Sequence, residues 1–356
     1  MDSPYNDLLI DTTGPQGLVV ARNGRPREFR SLRNELRGND YHTVRGLLEE
    51  VRTRRRPISA DSTSESSAYS AIPVIGPDNS LTGVRVLFGR DLPAETPPVA
   101  AFHWDLQTST GVPQLHVTSE VLDLLDIPID FRDRSVYGPL DFFGRIVHTP
   151  ALIRTWEEVA SAAEDTAAVG QVVVRTDSNR LVNLQYSLTW VATDVGPRLR
   201  GMCRDISDDS GSHNRQLDMF DAHLREAVLS SAQLFGALVD LRWPVPVVLK
   251  WLTPYFDGTG HGVSTGQTSG LHPDDLALLP AAVQRVRDGE TVTGRMRNRH
   301  PNGGWQWSNI TLRMVHPEAA PSLALILFSP EEVEPAEAPR GLHLPMTPTS
   351  APLKAR

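Results

Sequence analysis

Two histidines, one cysteine and a glycine-rich run are the residues of this 356-residue chain whose type and setting invite a chemical role. His148 and His272 each stand at the opening turn of an expected helix, before Thr-Pro and Pro-Asp-Asp respectively. An imidazole can ligate haem or a metal ion through a free ring nitrogen. At a helix start the expectation is instead a structural hydrogen bond to the first turn. Cys203 is the single cysteine, which excludes an intrachain disulfide and any cysteine-based zinc site. It falls on an expected strand in phase with Leu199 and reads as a small core residue. Gly258-Thr-Gly-His-Gly262 has the glycines of a phosphate loop but lacks the strand before it, the helix after it and the lysine. It is expected to be an ordinary connection. The chain carries no Walker A loop, Gly-x-Ser-x-Gly elbow, His-Glu-x-x-His helix or kinase signature set. No catalytic residue and no metal ligand is therefore expected.

The elements that position these residues come from an internal repeat. At a constant offset of 124 residues, His148 aligns with His272, Gly170 with Gly294, Arg175 with Arg299, Leu188 with Leu312 and Pro197 with Pro321. The register holds without a gap from His148 to about Asp205, across two turns and three expected strands. Two copies make a duplicated domain rather than a solenoid. In the first copy Thr149-Pro150 opens a helix with Leu152, Trp156, Val159 and Ala163 on one face. In the second, Pro273-Asp-Asp275 opens one with Leu276, Leu279, Val283 and Val286 buried. Strands follow at 171–175, 182–190 and 199–204, and again at 291–299 and 322–328. Two shorter strands precede each helix, at 101–107 and 113–117, then at 238–242 and 247–251.

Strand alternation assigns faces. Val182, Leu184, Tyr186, Leu188 and Trp190 share the core face of their strand; Asn183, Gln185, Ser187 and Thr189 share the other. The repeat maps Tyr186 onto Ile310, so Trp305 and Trp307 point to the outer face of the last sheet, and Gln306 and Ser308 point inward. Gln306, Ser308 and Tyr186 are thus the candidate pocket residues. Trp305 and Trp307 are the candidate interaction residues, expected to pack on a linker helix or neighbouring domain. A bulge that flips the register would make the tryptophans core instead.

Gly270-Leu-His-Pro-Asp-Asp275 with Pro301-Asn-Gly-Gly-Trp-Gln-Trp307 resembles the PAS pattern of a His-Pro-Asp turn before the long helix and an Asn-Gly hairpin before a Trp-bearing strand. The first copy, with His148-Thr-Pro150 and Thr176-Asp-Ser-Asn179, inherits the likeness through the repeat. Upstream lies a different unit: strands near 7–11 and 17–21, a helix with Val44, Leu47, Leu48 and Val51 on one face, and a hairpin of 69–75 with 81–88 joined through Pro77-Asp-Asn79. That hairpin resembles the central strands of a GAF domain. The whole chain resembles an actinobacterial family of sensor-only proteins with one GAF-like and two PAS-like domains and no output module. The expected fold is α+β: three consecutive small domains, each an antiparallel sheet flanked by helices. Their expected spans are 1–95 (GAF-like), 99–208 and 236–330 (PAS-like), with a linker helix at 213–235 and a disordered tail at 331–356.

Composition narrows the partners. Net charge is −8 and hydrophobic content 40%, an ordinary balance that gives no overall basic surface for nucleic acid. The cluster Arg52, Arg54, Arg55 and Arg56 ends an expected helix, where the dipole favours cations. The longest apolar stretch, Leu323 to Phe328, is far short of a membrane span, and no signal peptide is evident, so the cytoplasm is expected. The resemblance implies signal integration or scaffolding through a signalling protein partner in trans, with no cofactor identified. A small-molecule ligand and a homodimer are both compatible with it. Purely structural scaffolding is the alternative, favoured for the second domain by bulky inward residues such as Tyr186 and Trp190.

Overall fold

Adding 124 to the bounds of three consecutive strands lands within one residue of the bounds of three others in the computed structural model. The repeat is therefore a repeat of structure. The structure describes residues 5–61, 67–109, 111–207, 234–254, 270–300, 303–316 and 320–330, with positions 227, 229, 232 and 318. The Gly258–Gly262 run, residues 331–356 and most of the expected linker helix lie outside these residues.

The first sheet comprises β1 (Tyr5–Asp11), β2 (Leu18–Arg22), β3 (Arg25–Ser31), β4 (Ile58–Asp61), β5 (Ala68–Ile75) and β6 (Leu81–Gly89), with α1 (Leu32–Glu35) and α2 (Gly38–Arg54) between β3 and β4. The second comprises β7 (Ala100–Asp105), β8 (Gln114–Val117), β9 (Ala167–Arg175), β10 (Leu181–Thr193) and β11 (Gly196–Asp205). The helices α3 (Ser119–Leu124), α4 (Pro139–Phe143) and α5 (Thr149–Ala160) lie between β8 and β9. The third comprises β12 (Phe235–Asp240), β13 (Val247–Trp251), β14 (Val292–Arg299), β15 (Trp305–His316) and β16 (Ala320–Pro330), with α6 (Pro273–Leu276) and α7 (Leu279–Arg287) before β14. Every pairing is antiparallel. The orders are β3-β2-β1-β6-β5-β4, β8-β7-β11-β10-β9 and β13-β12-β16-β15-β14. Without its edge strand β3, the first sheet has the same order as the other two. Two compact units result, one holding the first two sheets (Met1–Ile127 with Ser135–Ala222) and the other the third (Pro128–Arg134 with His223–Arg356).

Each sheet packs helices on one face. In the first, Val44, Leu47, Leu48 and Val51 of α2 bury against Leu8, Ile10, Val84, Val86 and Phe88. The arginines that follow are structural: Arg52 donates to the carbonyls of Gly14 and Pro15, Arg54 pairs with Glu50, and Arg55 donates to the Asn79 carbonyl. In the second, Leu152, Trp156 and Val159 of α5 are buried, and Trp156 meets Trp104 and Phe143 edge-on. Ala163 lies beyond the helix end and is exposed, contrary to its expected place on the buried stripe. In the third, the expected single helix is two. Pro280, in the first turn of α7, has no N–H and its ring would clash with the carbonyl of Leu276, so the chain breaks and restarts. Leu279, Val283 and Val286 still reach the core, with Leu276 packed at its margin.

Candidate functional site

Strand β1 is buried on both faces, which alternation explains. Leu8 and Ile10 face α2, whereas Asp7, Leu9 and Asp11 face the outer side of the second sheet. There Leu9, Val20, Ala21 and Val74 meet Ala101 and Met202 in one apolar cluster. The seam is possible because position 83 is glycine: a β-carbon there would fall 2.2 Å from the sulfur of Met202. On the second sheet the seam buries Gln185 and Ser187, the face of β10 opposite its core side chains. Polar side chains in strict alternation thus mark an interface here rather than a solvated face.

Charge runs through the seam at both ends. Asp7 accepts two hydrogen bonds from Arg85, at 3.1 and 2.9 Å, and a third from Arg204 at 2.8 Å; Arg204 also donates to Gln185 at 2.8 Å. All four side chains are buried. At the other end Asp78 pairs with Arg198 and Arg200, both at 2.9 Å, and Thr189 donates to Asp11 at 2.9 Å. Burial works against the Asp78 carboxylate, but hydrogen bonds from Ser80 and Arg200 outweigh it and hold the carboxyl well below its usual range. At Asp11 burial wins and raises the carboxyl.

Beside Arg198 the hairpin β7–β8 presents His103, Asp105 and His116. His103 and His116 are direct cross-strand partners, and Asp105 follows His103 by two residues, so all three share the seam-facing side. The imidazoles stack with centroids 4.8 Å apart. Asp105 Oδ2 lies 3.1 Å from His116 Nε2, and Oδ1 lies 3.6 Å from His103 Nε2 while accepting from Arg198 Nε at 2.7 Å. His103 is 3% exposed, yet neither ring nitrogen has a hydrogen-bond partner among the described residues. Burial, joined by the charges of Arg198 and His116, pushes its imidazole down to about 4 despite Asp105 and Asp78, so it is neutral at pH 7. Reading the sequence alone left this trio unnoticed. The pattern His-x-Asp on β7 with His116 on β8 becomes meaningful only once the strand register is known.

The residues singled out by sequence are spread over two sheets. Tyr186 fills the interior of the second domain: its ring covers Gly170, where a β-carbon would fall 2.5 Å from it, and its hydroxyl bonds Thr155 and Glu158 of α5. In the third domain Ser308 is fully buried and donates to the buried Asn298 at 2.7 Å; Gln306, opposite Asn298 at the sheet end, is half-buried. Trp305 and Trp307 lie on the opposite face from Ser308, half-buried under arginines. Arg299 covers the Trp305 ring at 5.3 Å, and Arg295 and Arg297 cover Trp307 at 4.8 and 5.2 Å. Leu229, one of the few described residues of the expected linker helix, lies over Gly236 of this sheet, 3.2 Å from where a β-carbon there would stand.

His272 Nδ1 accepts the backbone N–H of Asp274, and Asp275 accepts from the backbone and guanidinium of Arg297, tying α6 to the edge strand β14. His148 stands at the start of α5 without a side-chain cap bond. Cys203 is buried, and burial pushes its thiol up to about 12.

Residues 7–98, the first sheet and its helices, match the family described as Rv3651-like, N-terminal. A search of curated protein sequences found no significant match. Among solved structures, an uncharacterised protein from Mycobacterium tuberculosis superimposes with a TM-score of 0.68 at 17% identity, over 91% of this chain and 95% of that one. The likeness shows a shared fold over nearly the whole chain. An RNA-binding light-oxygen-voltage receptor (TM-score 0.27, 12% identity, 65% of this chain and 94% of that one) is far more distant. So is a sensory box histidine kinase/response regulator from Burkholderia thailandensis (TM-score 0.24, 15% identity, 37% and 91%). At those scores neither adds weight. No helix among the described residues is long and apolar enough to cross a membrane.

Proposed function

We propose that this chain is a non-catalytic, cytosolic sensor or scaffold in which a GAF-like domain and two PAS-like domains relay a signal to a protein partner through changes in contact. One observation carries the reading: an order of strands, helices and three antiparallel strands recurs in every domain, the first adding only its edge strand β3, with one sheet face left for packing against something else. The seam between the first two sheets is an instance of such use, and the Arg-covered Trp305–Trp307 face is the corresponding surface of the third. Differential binding of a small molecule inside one domain would shift such contacts. Ser308 with Asn298 offers polar groups for it in the third domain.

Purely structural scaffolding is favoured for the second domain, where Tyr186 occupies the interior and is tied to α5 at two points. Native mass spectrometry of the purified chain, followed by thermal-shift screening of a metabolite panel, separates the two. A co-purifying or stabilising small molecule supports sensing. An empty spectrum with no shift across the panel leaves scaffolding as the function.

A further inference from the structure

We propose that His103, Asp105 and His116 form a binding site for one divalent transition-metal ion, with zinc the expected occupant. The proposal stands on the geometry of one hairpin and does not depend on the sensing reading. Strand pairing sets His103 opposite His116 and puts Asp105 on the same side, so three ligand atoms lie within 4.8 Å of one another with no rearrangement of the backbone. The closest pair, Asp105 Oδ2 and His116 Nε2 at 3.1 Å, is already near the separation of about 3.3 Å that two donors on one tetrahedral zinc ion adopt. His103 has a ring nitrogen within 4.8 Å of the other two ligand atoms, and binding would draw it in to complete the set.

The condition of His103 is the second, independent observation. A buried imidazole with both nitrogens unpartnered is rare, because burying a polar group without a bond is costly. An ion bridging it to Asp105 and His116 would satisfy one of those nitrogens. Arg198 donates to Oδ1 of Asp105 and leaves Oδ2 facing His116, the kind of outer contact that fixes a ligating carboxylate. The guanidiniums of Arg198 and Arg200 oppose a cation, but Asp105 and Asp78 balance them, so the ion enters a surrounding of no net positive charge. His116 and Asp105 are each about a quarter exposed, which leaves water to complete the coordination shell. Two imidazoles and one carboxylate suit borderline first-row ions and not calcium or magnesium. Because Arg198 also grips Asp78 of the first sheet, an ion here would stiffen the seam.

The test uses the metal-stripped full-length chain titrated with zinc by calorimetry and with cobalt(II) by visible absorption. One equivalent of each ion binds, and cobalt develops a d–d band of nitrogen–oxygen coordination. His103→Ala, Asp105→Asn and His116→Gln each weaken binding at least about tenfold, while His148→Ala and His272→Ala change it less than about twofold. His116 is partly exposed, so His116→Gln decides the matter if His103→Ala fails to fold. Absence of saturable binding overturns the site. So does stoichiometric binding that His116→Gln and Asp105→Asn leave unchanged, which would leave the trio a hydrogen-bonded cluster only.

Discussion

The sulfur of Met202 on the second sheet occupies the space that a β-carbon on Gly83 of the first would need. Gly83→Ala therefore overpacks the seam and should cost about 1–3 kcal/mol, read from urea unfolding. Met202→Ala alone leaves a cavity and also destabilises. The double variant should be more stable than the sum of the two losses predicts, because the same atoms are in conflict. Recovery will be incomplete, since the added carbon also approaches the Ile10 carbonyl at 2.7 Å. Strict additivity would show that the two sheets do not meet at this point.

The second prediction concerns the other end of the seam. Arg204→Met leaves Gln185 and part of Asp7 without the partner that burial requires. Breaking a buried ion pair from one side costs about 3–5 kcal/mol. Arg85 keeps its two bonds to Asp7 and softens the loss toward the lower figure. A change under about 0.5 kcal/mol, the range of ordinary surface substitutions, would mean that the charges are solvated rather than buried.

How much of this was legible beforehand depends on where the physics acts. Hydrophobic alternation located β10, and the repeat carried its register to β15, because one buried face imposes a period of two on any strand. The same rule put Ser308 on the inner face and Trp307 opposite it. β3, with the sequence Arg-Pro-Arg-Glu-Phe-Arg-Ser, was missed: an edge strand with little apolar content has no alternation to read. The seam was missed for a related reason. Gln185 and Arg204 look like surface residues until their partners, Arg204 and Asp7, are brought from distant parts of the chain. The His103 trio was invisible because cross-strand register, and not sequence spacing, creates it.

A third prediction follows from Asp78, whose folded-state pKa lies below its unfolded value near 3.9. Its stabilising contribution is then fully present above about pH 4–5 and is lost as pH falls through the unfolded value toward the folded one. Asp78 is partly exposed, so solvent screening limits the effect to about 1 kcal/mol. Urea unfolding of the natural chain and of Asp78→Asn should differ by that amount at pH 6, and the gap should begin to narrow as pH falls below about 4. A gap that is constant with pH would assign the loss to packing instead.

The last prediction uses Cys203 as a reporter of the second domain. Its thiol faces the core beside Tyr186 across β10–β11, and burial pushes its pKa up to about 12. The thiolate is the reactive form, so both access and ionisation oppose modification in the folded state. At pH 8 a maleimide should label Cys203 only as fast as this domain opens, and the rate should rise with urea in step with loss of tryptophan signal from Trp104 and Trp156. Combined with Gly83→Ala, the same measurement asks whether the seam supports the second domain. Faster labelling in that variant means that the two sheets are energetically coupled; an unchanged rate means that the second domain holds itself together and the seam only docks it.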